Sequence, residues 1–300
     1  MTNRNYKKQV ALLLDVLPEV AKEECFALHG GTAINLFVRD MPRVSVDIDL
    51  TYVPIEDRQT SLKNISEALV RIKENVRRLK PDLQIQHKED IGKLLISGQR
   101  TGIKLEVNLV GRGTLHPPEI MPLTGKAQDE FDVFCEMPVI PIEQLYGGKI
   151  CAALDRQHPR DLFDVKYLLE NEGFTEEIKK GFLLCLLSGD RPIHETINPN
   201  LLDQRQAMEN QFEGMSREDF SYADFEATRD TLISTIHENL TEQDRGFLLG
   251  AKNLDPDWDI YDFARFPAIQ WKMQNLRRLK ENNPSKHQEQ YRLLRDYLYQ

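Results

Sequence analysis

The chain has 300 residues, 40% hydrophobic and 29% charged, with a formal net charge of -9. That length supports two domains and at least one well-buried core, and the composition is that of a soluble globular protein. The acidic total excludes a generic polyanion binder, and no run reaches the ~18 apolar residues that a membrane span needs.

Taken in chain order, residues 6–23 carry Val10, Leu13, Leu14, Leu17, Val20 and Ala21 at helical spacing. This predicts an amphipathic helix that Pro18 ends or kinks. The polar start Met1–Lys8 and the interruptions at Asp15, Pro18 and Glu19 do not read as a signal peptide. Phe26-Ala27-Leu28 reads as a short strand running into His29-Gly30-Gly31-Thr32, with a short helix through Ala33, Ile34, Leu36 and Phe37. Residues 44–53 alternate as a strand with one buried face, and 60–79 return to helical spacing. Further strands are expected at 83–87, 93–98 and 103–110, then a proline-rich stretch around Pro117, Pro118 and Pro122. Helices follow at 142–155 and 160–171.

From Glu172 the pattern is helical and polar, with helices expected at 177–187, 203–214, 222–238, 241–251, 267–281 and 285–298. Asn282-Asn283-Pro284-Ser285 marks the break before the last of them. The reading is an α/β (α+β) domain over 1–171 and an all-helical domain over 172–300, without internal repeats. Cys25, Cys135, Cys151 and Cys185 are far apart and fit no metal-ligand spacing, so they read as reduced thiols of a cytoplasmic protein. Charge is uneven: from Arg265 to Gln300 eight Lys/Arg stand against three acids, net +5. A second basic cluster is Arg71, Lys73, Arg77, Arg78 and Lys80. Such clusters serve either as phosphate-binding patches or as solvated helix faces.

Residues two apart on a strand point to the same side. Ser45, Asp47, Asp49 and Thr51 therefore share one face, and Val44, Val46, Ile48, Leu50 and Tyr52 the other. A slip of one residue would bury both aspartates, so the apolar face pins the register. Paired carboxylates suit a hard cation such as Mg²⁺, which takes oxygen ligands from one or two carboxylates and from substrate phosphates. Alternating aspartates alone also mark an ordinary solvent face. Three neighbouring signals turn the reading toward chemistry. Gly30-Gly31-Thr32 is a turn that lets backbone N–H groups approach a phosphate. The strand Ile103–Leu109 presents Lys104, Glu106 and Asn108 on its polar face, and Glu106 offers a third carboxylate if this strand lies beside the first. Three such carboxylates can hold two ions about 3.5–4 Å apart. Lys149 lies in a mostly apolar helix where its ammonium needs a partner, which a triphosphate would supply. Asp161 and Asp164, one turn apart in the next helix, supply the alternative, a salt-bridge network with Arg160 that locks two helices together.

In this order, Gly30-Gly31-Thr32, Arg43-x-Ser45-x-Asp47-Ile48-Asp49-Leu50, Lys104-x-Glu106-Val107, and Lys149 with Arg160-Asp161-x-x-Asp164 resemble the motifs of the AbiEii toxin family. That family includes the MenT toxins and belongs to the DNA polymerase β-like nucleotidyltransferases. The resemblance covers roughly residues 26–170. It implies a polymerase β-like core with a mixed sheet and a toxin of a toxin–antitoxin or abortive-infection pair. Mg²⁺ or Mn²⁺, an NTP cosubstrate, a cognate antitoxin and a tRNA 3′ end as acceptor are implied with it. Carried over by motif, Asp47, Asp49 and Glu106 are the metal carboxylates, and Gly30, Gly31, Thr32 and Ser45 contact the nucleotide. Lys149 becomes the phosphate-contacting lysine and Asp161 the later catalytic aspartate. Two rival readings stay open: a protein or small-molecule acceptor such as an antibiotic, and a nucleotide-binding module without catalysis.

Overall fold

The computed structural model describes residues 4–99 and 101–300. They form two compact units, one of residues up to Leu145 together with Glu209–Phe220, the other of Tyr146–Met208 and Ser221–Gln300.

The first unit opens with α1 (Arg4–Val20), whose Val10, Leu13, Leu14 and Leu17 are all buried. Pro18 sits inside the last turn, and the helix ends two residues later, as a residue without an N–H dictates. Then follow β1 (Phe26–His29), α2 (Gly30–Ala33) running into a π-helical turn (Ile34–Val38), β2 (Asp47–Tyr52), α3 (Arg58–Leu79), β3 (Gln84–Lys88), β4 (Lys93–Ser97) and β5 (Gly102–Asn108). Next come β6 (Glu119–Pro122), α4 (Gly125–Phe131), β7 (Glu136–Val139) and α5 (Ile142–Arg156).

The seven strands form one mixed sheet in the order β3-β4-β5-β2-β1-β7-β6. The β2–β5 and β1–β7 pairs are parallel and the others antiparallel. Helices α1 and α3 pack on each other, α1 against β5 and α3 against β3 and β4. The buried residues Ile48 and Leu50 of β2 and Ile103, Leu105 and Val107 of β5 supply the core of the sheet. Helix α3 starts at Asp57, whose side chain accepts from Gln59 N and Thr60 N. Its basic cluster is largely structural: Arg71 pairs with Glu23 at 2.7 Å, Lys80 with Asp15 at 2.9 Å, and Arg77 donates to the Ile85 carbonyl.

The second unit contains α6 (Pro159–Asn171), α7 (Glu176–Ser188), α8 (Ile193–Ile197), α9 (Arg205–Ala207), α10 (Tyr222–Asn239), α11 (Glu242–Asn253), α12 (Pro267–Asn282) and α13 (Pro284–Leu298). Capping boxes, Ser221 with Asp224 and Thr241 with Asp244, start α10 and α11. Among the described residues this unit holds no strand, as its sequence predicts.

Three details differ from the sequence reading. The units divide inside α5, between residues 145 and 146, rather than after residue 171. From Tyr146 onward the chain packs on the helices that follow. A Cβ on Gly147 would lie 2.3 Å from the carbonyl carbon of Gly181 in α7, and α6 packs on α10. The helix expected over 203–214 is instead a three-residue turn, α9, and a π-helical stretch (Met208–Phe212). The chain passes from one unit to the other there. Strands β6 and β7 arise from proline-bearing text; β6 is at the sheet edge, and Pro138 of β7 faces Ile120.

The four cysteines are free, and burial pushes the Cys25 and Cys135 thiols up to about 11. Among the described residues no helix is long and apolar enough to cross a membrane.

Candidate active site

Strand β2 lies between β1 and β5, and its neighbours decide which side chains meet. On one side Asp47 faces Lys104 and Asp49 faces Glu106. On the other, Asp49 faces His29, and beyond β5, Glu106 faces Lys93 of β4. One row of ionisable residues, His29, Asp49, Glu106 and Lys93, therefore crosses four strands. The neighbouring row begins with Asp47 and Lys104. The sequence expectation that Glu106 would stand beside the aspartates thus becomes a register fact.

The charges in these rows are paired. Lys104 Nζ lies 3.3 Å from Glu106 Oε2 and 4.0 Å from Asp47 Oδ2. Lys93 Nζ lies 3.0 Å from the same Glu106 oxygen. Burial works to raise the Glu106 pKa, but the hydrogen bond from Lys93 and the charge of Lys104 prevail and hold it below the ordinary glutamate value. Burial likewise opposes the charge on Lys104, yet Asp47, Asp49 and Glu106 together raise its pKa.

The glycine turn presses against this face. Gly30 has φ +73, and a Cβ there would come 2.7 Å from Asp49 Oδ2. A Cβ on Gly31 would lie 2.8 Å from Arg43 Nη2 and 3.0 Å from Ser45 Oγ. Only glycine lets the backbone come this close to an aspartate and a serine. Thr32 Oγ1 hydrogen-bonds Ser45 Oγ at 3.0 Å and the Asp47 carbonyl oxygen at 2.5 Å, tying the turn to the start of β2.

Ser45 is positioned differently from the expectation of a strand over 44–53. The ladder begins at Asp47, because Arg43 bridges to Ser216 and Val44 N donates to the Met215 carbonyl, drawing residues 43–44 away from the sheet. Ser45 is buried beneath the glycine turn rather than carried on the strand face. The structure thus brings Gly30, Gly31, Thr32, Ser45, Asp47, Asp49 and Glu106 into one neighbourhood of the first unit.

Two members of the rows escaped the sequence reading. Lys93 sits on β4, and only the pairing of β4 with β5 brings it to Glu106. His29 precedes the glycines, and its Nδ1 lies 3.0 Å from Thr51 Oγ1. Its position before a Gly-Gly turn was a usable signal.

Lys149 and Asp161 belong to the second unit, where they form a cluster with Asp164 and Arg156. Lys149 Nζ lies 2.9 Å from Asp161 Oδ1 and 3.0 Å from Asp164 Oδ2. Arg156 adds a hydrogen bond of 2.6 Å to Asp161 Oδ2. The lysine and both aspartates are at most 6% exposed. Burial pushes the Asp161 carboxyl up, but Lys149 and Arg156 overcome it and hold it far below the usual carboxylate range. The guanidinium in this network is that of Arg156, not Arg160; the backbone N–H of Arg160 donates to the His158 Nδ1 cap of α6.

The donor chemistry of the first unit fits a hard divalent cation: two carboxylates on one strand face, with a glycine-lined approach for phosphate oxygens. Among the described residues no three His, Cys, Asp or Glu side chains are grouped as a closed metal cage. Asp47 and Asp49 are the residues that would hold such an ion, with substrate oxygens completing its shell.

The sequence model described as nucleotidyl transferase AbiEii toxin, type IV TA system, matches residues 11–275. No curated protein sequence matches the chain. The fold is similar to that of MenT4, a nucleotidyltransferase toxin from Mycobacterium tuberculosis H37Rv. The two share 14% identity and a TM-score of 0.56, over 95% of this chain and 93% of that one.

Proposed function

The chain belongs to the AbiEii nucleotidyl transferase toxin family of type IV toxin–antitoxin systems, and on that footing we propose that it transfers a nucleotide from an NTP to the 3′ end of a tRNA. One observation carries the reading: Asp47 and Asp49 project from one face of β2 while Gly30 and Gly31 bring backbone within contact distance of Asp49 and Ser45. Asp47 and Asp49 would hold Mg²⁺ or Mn²⁺. Bound there, the cation would neutralise the triphosphate and the charge building on the α-phosphate. Gly30, Gly31, Thr32 and Ser45 line the approach for the phosphates.

An acceptor hydroxyl oxygen attacks the α-phosphorus, the bond to the bridging oxygen of the β-phosphate breaks, and pyrophosphate leaves. The chain contributes mainly position and charge. Glu106 is clamped by Lys93 at 3.0 Å and by Lys104 at 3.3 Å, and in this reading the acceptor proton passes to water or phosphate.

For Lys149 and Asp161 the family motif supports roles at the nucleotide, while their closed ion cluster supports holding α5 to α6. The exposed Arg277, Arg278 and Arg292 on α12 and α13 favour an RNA acceptor, because phosphate contacts need free cations. Lys272 of the same basic tail is excluded from that role. It is buried, and its ammonium donates to the Gly189 and Arg191 carbonyls. A cognate antitoxin partner follows from the family.

The test is incubation of the chain with each labelled NTP, Mg²⁺ and total tRNA. Label is expected on tRNA with the wild type and not with Asp47→Ala. Label on protein or on a small molecule instead would move the acceptor, and no transfer with any nucleotide would overturn the reading.

A further inference from the structure

The paired lysines around Glu106 bear on how many metal ions the site takes. Three carboxylates on two adjacent strands, Asp47, Asp49 and Glu106, would by themselves invite two divalent ions. Here they share the face with Lys104 and Lys93. Lys104 is set opposite Asp47 by the register and lies two residues from Glu106, so its ammonium reaches both carboxylates. Its ammonium sits 3.3 Å from Glu106 and 4.0 Å from Asp47, within the space a second ion bridging them would occupy. Glu106 is also bound by Lys93 at 3.0 Å. A divalent ion on Glu106 would have to displace two ammoniums, or sit against them at contact distance with like charge. Asp49 has the glycine turn directly beside it, and its charge also acts on Lys104. Three carboxylates against two ammoniums leave one net negative charge in these rows, which suits one divalent ion with its nucleotide.

We propose, building on the nucleotidyl-transfer reading, that this site takes one divalent cation, on Asp47 and Asp49, and that Lys104 supplies the second positive charge. Glu106 is then a positioning residue for Lys104 and not a metal ligand. Lys93 fixes Glu106 from the far side. The reaction keeps its balance: Lys104 remains protonated, forms no covalent bond, and faces the charge that develops on the triphosphate.

The experiment counts Mn²⁺ bound by the full chain, with Mn²⁺ alone as probe and free Mn²⁺ read by electron paramagnetic resonance. Wild type is expected to bind one ion per chain. Glu106→Gln is expected to bind one ion with an affinity within about threefold, whereas removing a group that orients or ligates a metal typically costs at least about tenfold. Lys104→Met is expected to gain a second, weaker ion, and Lys104→Arg to stay at one. Two ions on the wild type, a tenfold loss in Glu106→Gln, or a single ion in a folded Lys104→Met would overturn the proposal. The wild-type and Glu106→Gln counts decide it even if Lys104→Met does not fold. Failure of the underlying reading has its own signature: no Mn²⁺ bound by the wild type, or binding that Asp47→Asn leaves unchanged.

Discussion

Two carboxylate–cation clusters, one in each unit, are built from the same residue types and differ in everything else. On β2 and β5, Asp47, Lys104 and Glu106 are each about a third exposed, at 34%, 35% and 39%, and acids outnumber lysines. In α5 and α6, Lys149, Asp161 and Asp164 are at most 6% exposed, and with Arg156 the charges balance. The first cluster has charge left over and solvent access to spend it on a ligand. The second pairs its own charges around a buried core of Lys149, Asp161 and Asp164, with Arg156 reaching solvent, and a buried ion pair mainly penalises whatever breaks it. Exposure and net charge, more than residue identity, therefore separate a site that binds from a lock that holds.

The largest expected effect is on the open cluster. Asp47→Ala or Asp49→Ala should lower nucleotidyl transfer by about 10²–10³-fold, in line with the loss of a principal electrostatic group. The thermal unfolding midpoint should stay close to wild type, since both side chains lie on a polar face. Transfer that survives in either variant would break the assignment of this cluster to chemistry.

The closed cluster should respond the other way. Lys149→Met removes the ammonium shared by two buried carboxylates and should cost about 3–5 kcal/mol in chemical denaturation. If instead stability holds and only transfer falls, Lys149 is a phosphate contact and the contrast between clusters fails. The acid response sharpens the same point. The folded Asp161 pKa lies below its ordinary 3.8, so the folded state binds fewer protons. Its stabilisation is full above that ordinary value and is lost as pH falls below it toward the folded pKa. Denaturation followed between pH 5 and 2 should show a steeper loss in wild type than in Asp161→Asn.

A smaller effect is expected at the glycine turn. Gly30→Ala places a Cβ at φ +73 and against Asp49, which should cost about 1–2 kcal/mol of stability. Transfer should fall by more than this loss predicts, because Asp49 is displaced; steady-state kinetics beside a melting curve would show it. The smallest change is Ser45→Ala. The Thr32 hydroxyl keeps the Asp47 carbonyl, so a stability change within about 1 kcal/mol is expected, with a modest rise in the NTP KM.

Much of the open cluster was legible before any fold was known. Alternation over 44–53 and 103–110 showed which residues share a face, because successive strand residues point to opposite sides. The partner of each strand was not legible, since pairing joins residues far apart in the chain. Lys93 reached Glu106 only through the β4–β5 ladder, and Ser45 left the strand face because Met215 and Ser216 drew residues 43–44 aside. Strands β6 and β7, four residues each, carry prolines that mask their pattern. The unit boundary was read after the helix ending at residue 171, whereas the compact units divide between Leu145 and Tyr146, inside α5.

The return of Glu209–Phe220 to the first unit has a consequence for biosynthesis. Phe212 and Met215 are buried there, and Met215 and Ser216 bond the segment that leads into Asp47. A ribosome that has released only the first 145 residues has made every strand of the sheet but not the piece that fastens the approach to Asp47. The nascent chain must grow past Phe220 before that site can close. A product truncated before Glu209 would carry both aspartates without the contacts that hold residues 43 and 44.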